Sequence, residues 1–178
     1  MKDDDQLYVI ETLSGNGKSF EFLVDKYYKT VFRVASKLVR SNDDAEEITQ
    51  IVFVKAYEKL SSFNPNYKFF SWLYKIAINE SINFSKSLKY SEDINEQQDK
   101  DGNMPDEIYD KNELSDSIQN ALMQIDMLYR IPVVLKHFLD YSYKEISLII
   151  DVPEKTVKSR LFEGRQLLKE ILIKNKVF

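Results

Sequence analysis

The sequence predicts an all-α protein of two small helical domains joined by a flexible acidic linker, the second domain carrying a helix-turn-helix. Three observations predict it. Only four glycines and four prolines interrupt 178 residues, and apolar residues recur at three- and four-residue steps rather than alternating. Residues 86–113 form a stretch of low hydrophobicity with nine Asp/Glu against four Lys/Arg, the composition of a linker rather than a core segment. Residues 143–168 read as two helices around a tight turn, the second with a basic outer face.

The first domain is expected over residues 1–88. Residues 6–13 form a short helix ended by Ser14-Gly15-Asn16-Gly17. A long helix runs from Lys18 to Arg40, with Phe20, Leu23, Val24, Tyr27, Tyr28, Val31, Phe32, Ala35 and Leu38 on its apolar side. Ser41-Asn42-Asp43-Asp44 recaps the chain, with Asn42 or Asp43 as the expected N-cap. The third helix, 44–60, is apolar on two sides: Ala45, Ile48, Val52, Ala56 and Leu60 make one stripe, and Ile51, Val54 and Tyr57 another, mixed with Glu47 and Gln50. Such a helix is either deeply buried or meets a partner, and its pattern alone leaves both open. Residues 61–68 form a loop holding Phe63 and Tyr67, and a fourth helix covers 69–88. Trp72 and Leu73 are expected in the core. The loop aromatics beside Lys and Asn can equally pack inward or stack on an unpaired base.

After the linker, 89–113, the second domain spans 114–178. Leu114, Ile118, Ala121, Leu122 and Ile125 mark one amphipathic helix, and Pro132 is expected to open or kink the next, which ends at Asp140-Tyr141-Ser142. Ile146, Ile149 and Ile150 then give a short helix, and Pro153 sits where another can begin. Val157, Leu161, Gly164 and Leu168 make the inner face of that last helix; Lys155, Lys158, Ser159, Phe162, Glu163 and Gln166 lie opposite, flanked by Arg160 and Arg165.

Composition narrows the function. The absence of cysteine excludes disulfides and thiolate metal sites, and the single histidine, His137, is expected packed or half-exposed rather than as a ligand. No cofactor or metal is expected. The acid pairs Asp43/Asp44 and Glu46/Glu47 read as helix-start residues, and neither a nucleophile–base set nor a Gly-rich phosphate loop accompanies them, so an enzyme is not expected. The start Met-Lys-Asp-Asp-Asp carries no signal-peptide pattern, and no apolar run approaches the roughly 20 residues of a membrane span, so the expected location is cytoplasmic. The net charge of −4 does not advertise nucleic-acid binding, but from Lys155 onward seven Lys/Arg stand against two Asp/Glu, which gathers positive charge on the last helix.

Three segments in order resemble the extracytoplasmic-function group of bacterial sigma factors, small two-domain subunits that direct RNA polymerase to promoters. Asp44-Ala45-Glu46-Glu47-Ile48-Thr49-Gln50 with Phe53 looks like the polymerase-clamp-binding helix of that family. Phe63 and the run from Phe69 to Asn79 look like its promoter-melting, minus-ten segment. The run from Tyr143 to Phe162 looks like its minus-thirty-five helix-turn-helix. The resemblance implies polymerase contacts at Glu46, Glu47, Gln50, Ile51, Val54 and Tyr57. It implies minus-ten DNA contacts at Phe63, Asn64, Tyr67, Lys68, Lys75, Asn79 and Asn83. It implies minus-thirty-five contacts at Lys155, Thr156, Lys158, Ser159, Arg160, Phe162, Glu163 and Arg165. Core RNA polymerase, promoter DNA and an anti-sigma factor, of a kind often membrane-anchored in that family, are the implied partners. The chain departs from the family pattern at Ile51, often acidic; at Ile78, commonly Arg; at Asp151, often Gly; and at Glu163, often Arg. The alternative is a stand-alone helix-turn-helix regulator, which predicts tight duplex binding without polymerase.

Overall fold

The computed structural model describes residues 4–94 and 113–177. Among them are eight α-helices and no strand: α1 (Asp4–Leu13), α2 (Lys18–Leu38), α3 (Asn42–Glu58), α4 (Phe69–Ile94), α5 (Glu113–Gln124), α6 (Met127–His137), α7 (Tyr143–Ile150) and α8 (Glu154–Lys174). The all-α expectation holds. Most of the expected linker, residues 95–112, lies outside the described residues.

The first four helices pack around α2, whose Leu23, Val31, Val34, Ala35 and Leu38 are buried against Ala45, Ile48, Val52 and Ala56 of α3 and against Phe69, Leu73, Tyr74 and Ala77 of α4. Leu73 is core, as expected, and Trp72 packs half-buried against it. An ion pair from Lys55 to Glu80, 2.6 Å, ties α3 to α4. Helix α1 is held by Asp5, only 2% exposed, which accepts from Lys26 Nζ at 2.5 Å and from the Tyr27 hydroxyl at 2.6 Å.

Several boundaries differ from the sequence expectation. α3 starts at Asn42, because Ser41 in an extended conformation is the N-cap and its Oγ accepts from the Asp44 amide at 3.0 Å. α2 stops at Leu38, since Val39 is extended. α4 continues to Ile94, past the expected end. Pro132 does not open α6: Asp126 does, its Oδ1 accepting from the Leu128 amide at 2.8 Å, and the proline sits buried inside the helix. Pro153 precedes α8 as N-cap rather than occupying its first turn, and its carbonyl accepts from the Thr156 and Val157 amides.

The two halves pack on each other. α2 contacts α5 and α6, and α4 contacts α7, so one hydrophobic core passes from Val31 and Leu38 to Ile131, Val134 and Ile146. Arg130 ties one edge of this junction. It is 8% exposed, and its guanidinium donates to the carbonyl of Leu38 at 2.8 Å, of Met123 at 2.9 Å and of Ile125 at 2.7 Å. These carbonyls stand at or just past the C-terminal ends of α2 and α5, where the helix dipole favours a cation. Burial pulls the Arg130 pKa down to about 10, so it stays charged at neutral pH. On the same edge Gln119 Nε2 donates to the Ser36 carbonyl at 2.6 Å.

Candidate nucleic-acid interface

The residues singled out in the sequence fall on three surfaces. On α3, Glu47, Gln50, Val54 and Tyr57 are exposed along one side, with Ile51 half-buried beside them. The second apolar stripe of α3 is therefore open to solvent, while Ala45, Ile48, Val52 and Ala56 fill the core. Glu46 differs from its neighbours. It turns to α2 and accepts a hydrogen bond from the Tyr28 hydroxyl, which together with burial and the nearby carboxylate charge pushes that phenol up to about 12.

The second surface is a cleft of about 540 Å³ with Asn64, Tyr67, Trp72 and Lys75 on one side and Ser147, Leu148, Val152 and Pro153 on the other. Asn64 and Tyr67 are exposed, and the Asn64 side chain accepts from the Asn66 amide at 2.9 Å to shape the loop. Phe63 is buried instead: its ring meets Phe69 at 5.5 Å and Trp72 at 5.7 Å, so it supports the loop from beneath. Lys75, Asn79 and Asn83 recur every fourth residue and are exposed along α4, but Asn79 and Asn83 do not line the cleft. Ile78 is 4% exposed and faces the interior, so the phosphate-holding role of an arginine has no place at that side chain here.

The third surface is α8. The turn before it works as the sequence suggested: Asp151 adopts a left-handed conformation at φ 55°, ψ 49°, and the amides of Asp151 and Val152 return to the Ser147 carbonyl. Ser142 and Glu145 form a capping box at the start of α7, and the hydrogen bonds from Ser142, backbone first, hold the Glu145 carboxyl below its usual range. Val157, Leu161 and Gly164 face inward, Gly164 so closely that an added Cβ would lie 2.8 Å from Val133 Cγ2. Lys155, Lys158, Ser159, Phe162 and Glu163 are exposed outward, with Phe162 62% exposed, while Thr156 and Arg160 are half-buried. Lys158 Nζ lies 5.7 Å from the Tyr143 ring centroid, Ser159 Oγ donates to the Thr156 carbonyl, and Arg165 Nε donates to His137 Nε2 at 3.0 Å.

Residues 23–89 match the family Sigma-70 region 2, and residues 115–168 match Sigma-70, region 4. The chain is 32% identical over 175 residues to the ECF RNA polymerase sigma factor SigW of Bacillus subtilis, with 89% of this chain and 91% of that protein covered. The chain belongs to the extracytoplasmic-function sigma factors. The ECF RNA polymerase sigma-E factor of Escherichia coli K12 is 30% identical over 176 residues, covering 92% of each chain. The fold is that of CnrH, solved in complex with the cytosolic domain of CnrY: the TM-score is 0.72 at 20% identity, over 97% of this chain and 99% of that one. As a sigma factor the protein directs promoter-specific transcription initiation, and the stand-alone regulator reading is not favoured. Among the described residues no helix is long and apolar enough to cross a membrane.

Sequence reasoning missed Phe70, Tyr141, Glu145 and Leu148: Tyr141 stacks on Phe70, Glu145 pairs with Lys68, and Leu148 lines the cleft. Local spacing carries no signal for them, because their partners lie about seventy positions away along the chain.

Proposed function

We propose that this sigma factor divides its work over the three surfaces. The domain at 1–88 binds the core polymerase clamp through Glu47, Gln50, Ile51, Val54 and Tyr57 of α3, with Glu46 as the residue that fixes this face on Tyr28. The same domain engages the minus-ten element: Asn64 and Tyr67 read and hold an unstacked base at the cleft, Asn79 and Asn83 contact the strand farther along α4, and Lys68 and Lys75 hold phosphates, with Phe63 supporting the loop. Unstacking a base costs about a few kcal/mol, which stacking and hydrogen bonding in the pocket offset. The domain at 114–178 inserts α8 into the minus-thirty-five major groove, with Lys158, Ser159, Phe162 and Glu163 at base edges and Lys155, Thr156, Arg160 and Arg165 toward phosphates. The observation that carries this reading is the exposure of Val54, Tyr57 and Phe162, apolar side chains that the fold leaves at the centres of two of the faces.

The protein acts in the cytoplasm, where polymerase works, without enzymatic activity or cofactor of its own. A relative of the same fold, RpoE of Bartonella quintana, was solved in complex with the anti-sigma factor NepR, which supports an anti-sigma partner here as well. Co-elution of the purified chain with core RNA polymerase on a sizing column, without DNA, tests the first step. Near-stoichiometric co-elution is expected for the native chain. The double variant Gln50→Ala with Val54→Asp should elute separately, while Lys158→Ala with Arg160→Ala should co-elute yet lose binding to the upstream element. Equal losses in both assays for either pair would sink the division of labour.

A further inference from the structure

The outer face of α8 separates its charges. With about 100° of turn per residue, Lys158, Arg165 and Lys169 fall on one flank of the helix, and Glu163 and Glu170 fall on the other. All five are exposed, and Ser159 and Gln166 lie on the crest between the flanks. The polar groups beside Glu163 are engaged elsewhere. Ser159 Oγ donates to the Thr156 carbonyl at 3.0 Å, and Arg160, on the preceding turn, is half-buried. Glu163 itself forms no ion pair and accepts no side-chain hydrogen bond among the described residues. Its carboxylate is therefore an acceptor that the fold leaves unused on this face.

Such a group rejects some positions on duplex DNA and selects others. Against the backbone it repels phosphate, so the flank carrying Lys158 and Arg165 is the one that suits a phosphate strand. In the major groove it needs a donor. Guanine presents only the acceptors N7 and O6, and thymine presents the acceptor O4 and a methyl group. Adenine presents its N6 amino group but sets the acceptor N7 beside it, which repels a carboxylate. Cytosine presents its N4 amino group with no acceptor on its own edge.

We infer that Glu163 sets part of the base preference of the minus-thirty-five element by accepting a hydrogen bond from the N4 amino group of a cytosine. The inference rests on α8 being the reading helix. An arginine at this position would suit the two acceptors of guanine, so the carboxylate exchanges a guanine-seeking donor for a cytosine-seeking acceptor. The cations of α8 hold the duplex whatever its sequence, and Glu163 makes that grip depend on one base pair.

The test uses the full chain bound to core RNA polymerase and a promoter library randomised across the upstream element. The side chain is exposed, so its replacement leaves the fold intact. Holoenzyme with the native chain should enrich C·G over the other base pairs at one upstream position by about fivefold or more, the effect of a single mismatched pair. Glu163→Ala should flatten that position and leave the others. Glu163→Gln, whose amide suits N6 and N7 of adenine, should move the preference there to adenine. Replacing the selected cytosine by pyrimidin-2-one, which lacks the amino group, should weaken native binding by a similar factor and leave the alanine variant unaffected. Lys158→Ala with Phe162→Ala separates this inference from the reading it rests on. Suppose the Glu163 variants leave every base preference unchanged, or raise binding equally for all sequences, while the Lys158 and Phe162 pair alters the upstream preference. Glu163 then reads no cytosine, and α8 remains the reading helix. If neither set of variants alters the upstream preference, the minus-thirty-five role of α8 fails as well.

Discussion

Arg165 Nε donates to His137 Nε2 across the α6–α8 junction, so the only histidine of the chain must be neutral at that nitrogen to keep the bond. Burial lowers the His137 pKa first, and the charges of Arg165 and Lys136 lower it further.

The sign of the resulting pH dependence follows. The folded pKa lies below the unfolded value of 6.5, so the unfolded chain takes up the proton first. Stability from this pair is complete above pH 6.5 and falls as the pH drops through 6.5 toward the folded value. The melting temperature should therefore decline between pH 7.5 and 5.5, and His137→Gln, which cannot take up a proton, should remove that part of the decline. Identical pH profiles for the two chains would show that the bond carries no linkage.

Gly164→Ala should destabilise the protein by about 1–3 kcal/mol, the range for overpacking a tight core. The new Cβ meets Val133 Cγ2 at 2.8 Å and the Tyr129 carbonyl oxygen at 3.0 Å, and the latter is backbone that cannot turn aside. A helical Ala gains about 1 kcal/mol over Gly in propensity, which is smaller than the clash. Gly17→Ala is the control: its Cβ would find only the Tyr57 hydroxyl, at 3.5 Å, so it should be neutral or slightly stabilising. Urea unfolding of both variants checks the contrast.

Asp5→Ala should cost about 1–3 kcal/mol, because it removes a buried carboxylate that accepts from both the Tyr27 hydroxyl and Lys26. The loss should be local. Hydrogen exchange should rise across α1 before it rises in α3 or α4, and uniform exchange across all three would mean that Asp5 does not anchor α1.

Asn79→Ala with Asn83→Ala should slow promoter opening at matched polymerase occupancy, read as permanganate reactivity of the melted strand. Folding should be unaffected, since both side chains are exposed on α4. Unchanged reactivity would take these two positions out of the minus-ten surface.

The helices and their inward faces were legible because apolar spacing is a local property: Leu23, Val31 and Leu38, or Val157 and Leu161, sit in the core where their periodicity put them. The two-sided α3 was legible as an ambiguity, and packing resolved it by burying Ile48 and exposing Val54. Boundaries were less so, since Ser41 competes with Asn42 and Asp43 on equal chemical terms and only the backbone conformation selects it. The inward turn of Phe63 and Ile78, and the meeting of Lys75 with Asp151, depend on chain segments brought together from far apart, which no window of sequence contains.

Arg130 has a consequence for how this sequence can drift. Three of its partners are main-chain carbonyls, of Leu38, Met123 and Ile125. Every residue type carries a carbonyl, so those three sites can change side chain without withdrawing the acceptor. The arginine itself has no such freedom, because a lysine offers a point charge where a planar fork now spans two helix ends. Homologous chains that dock their halves in this way should therefore hold arginine at 130, while Leu38 and Ile125 are restricted by the apolar core that buries them and not by this contact.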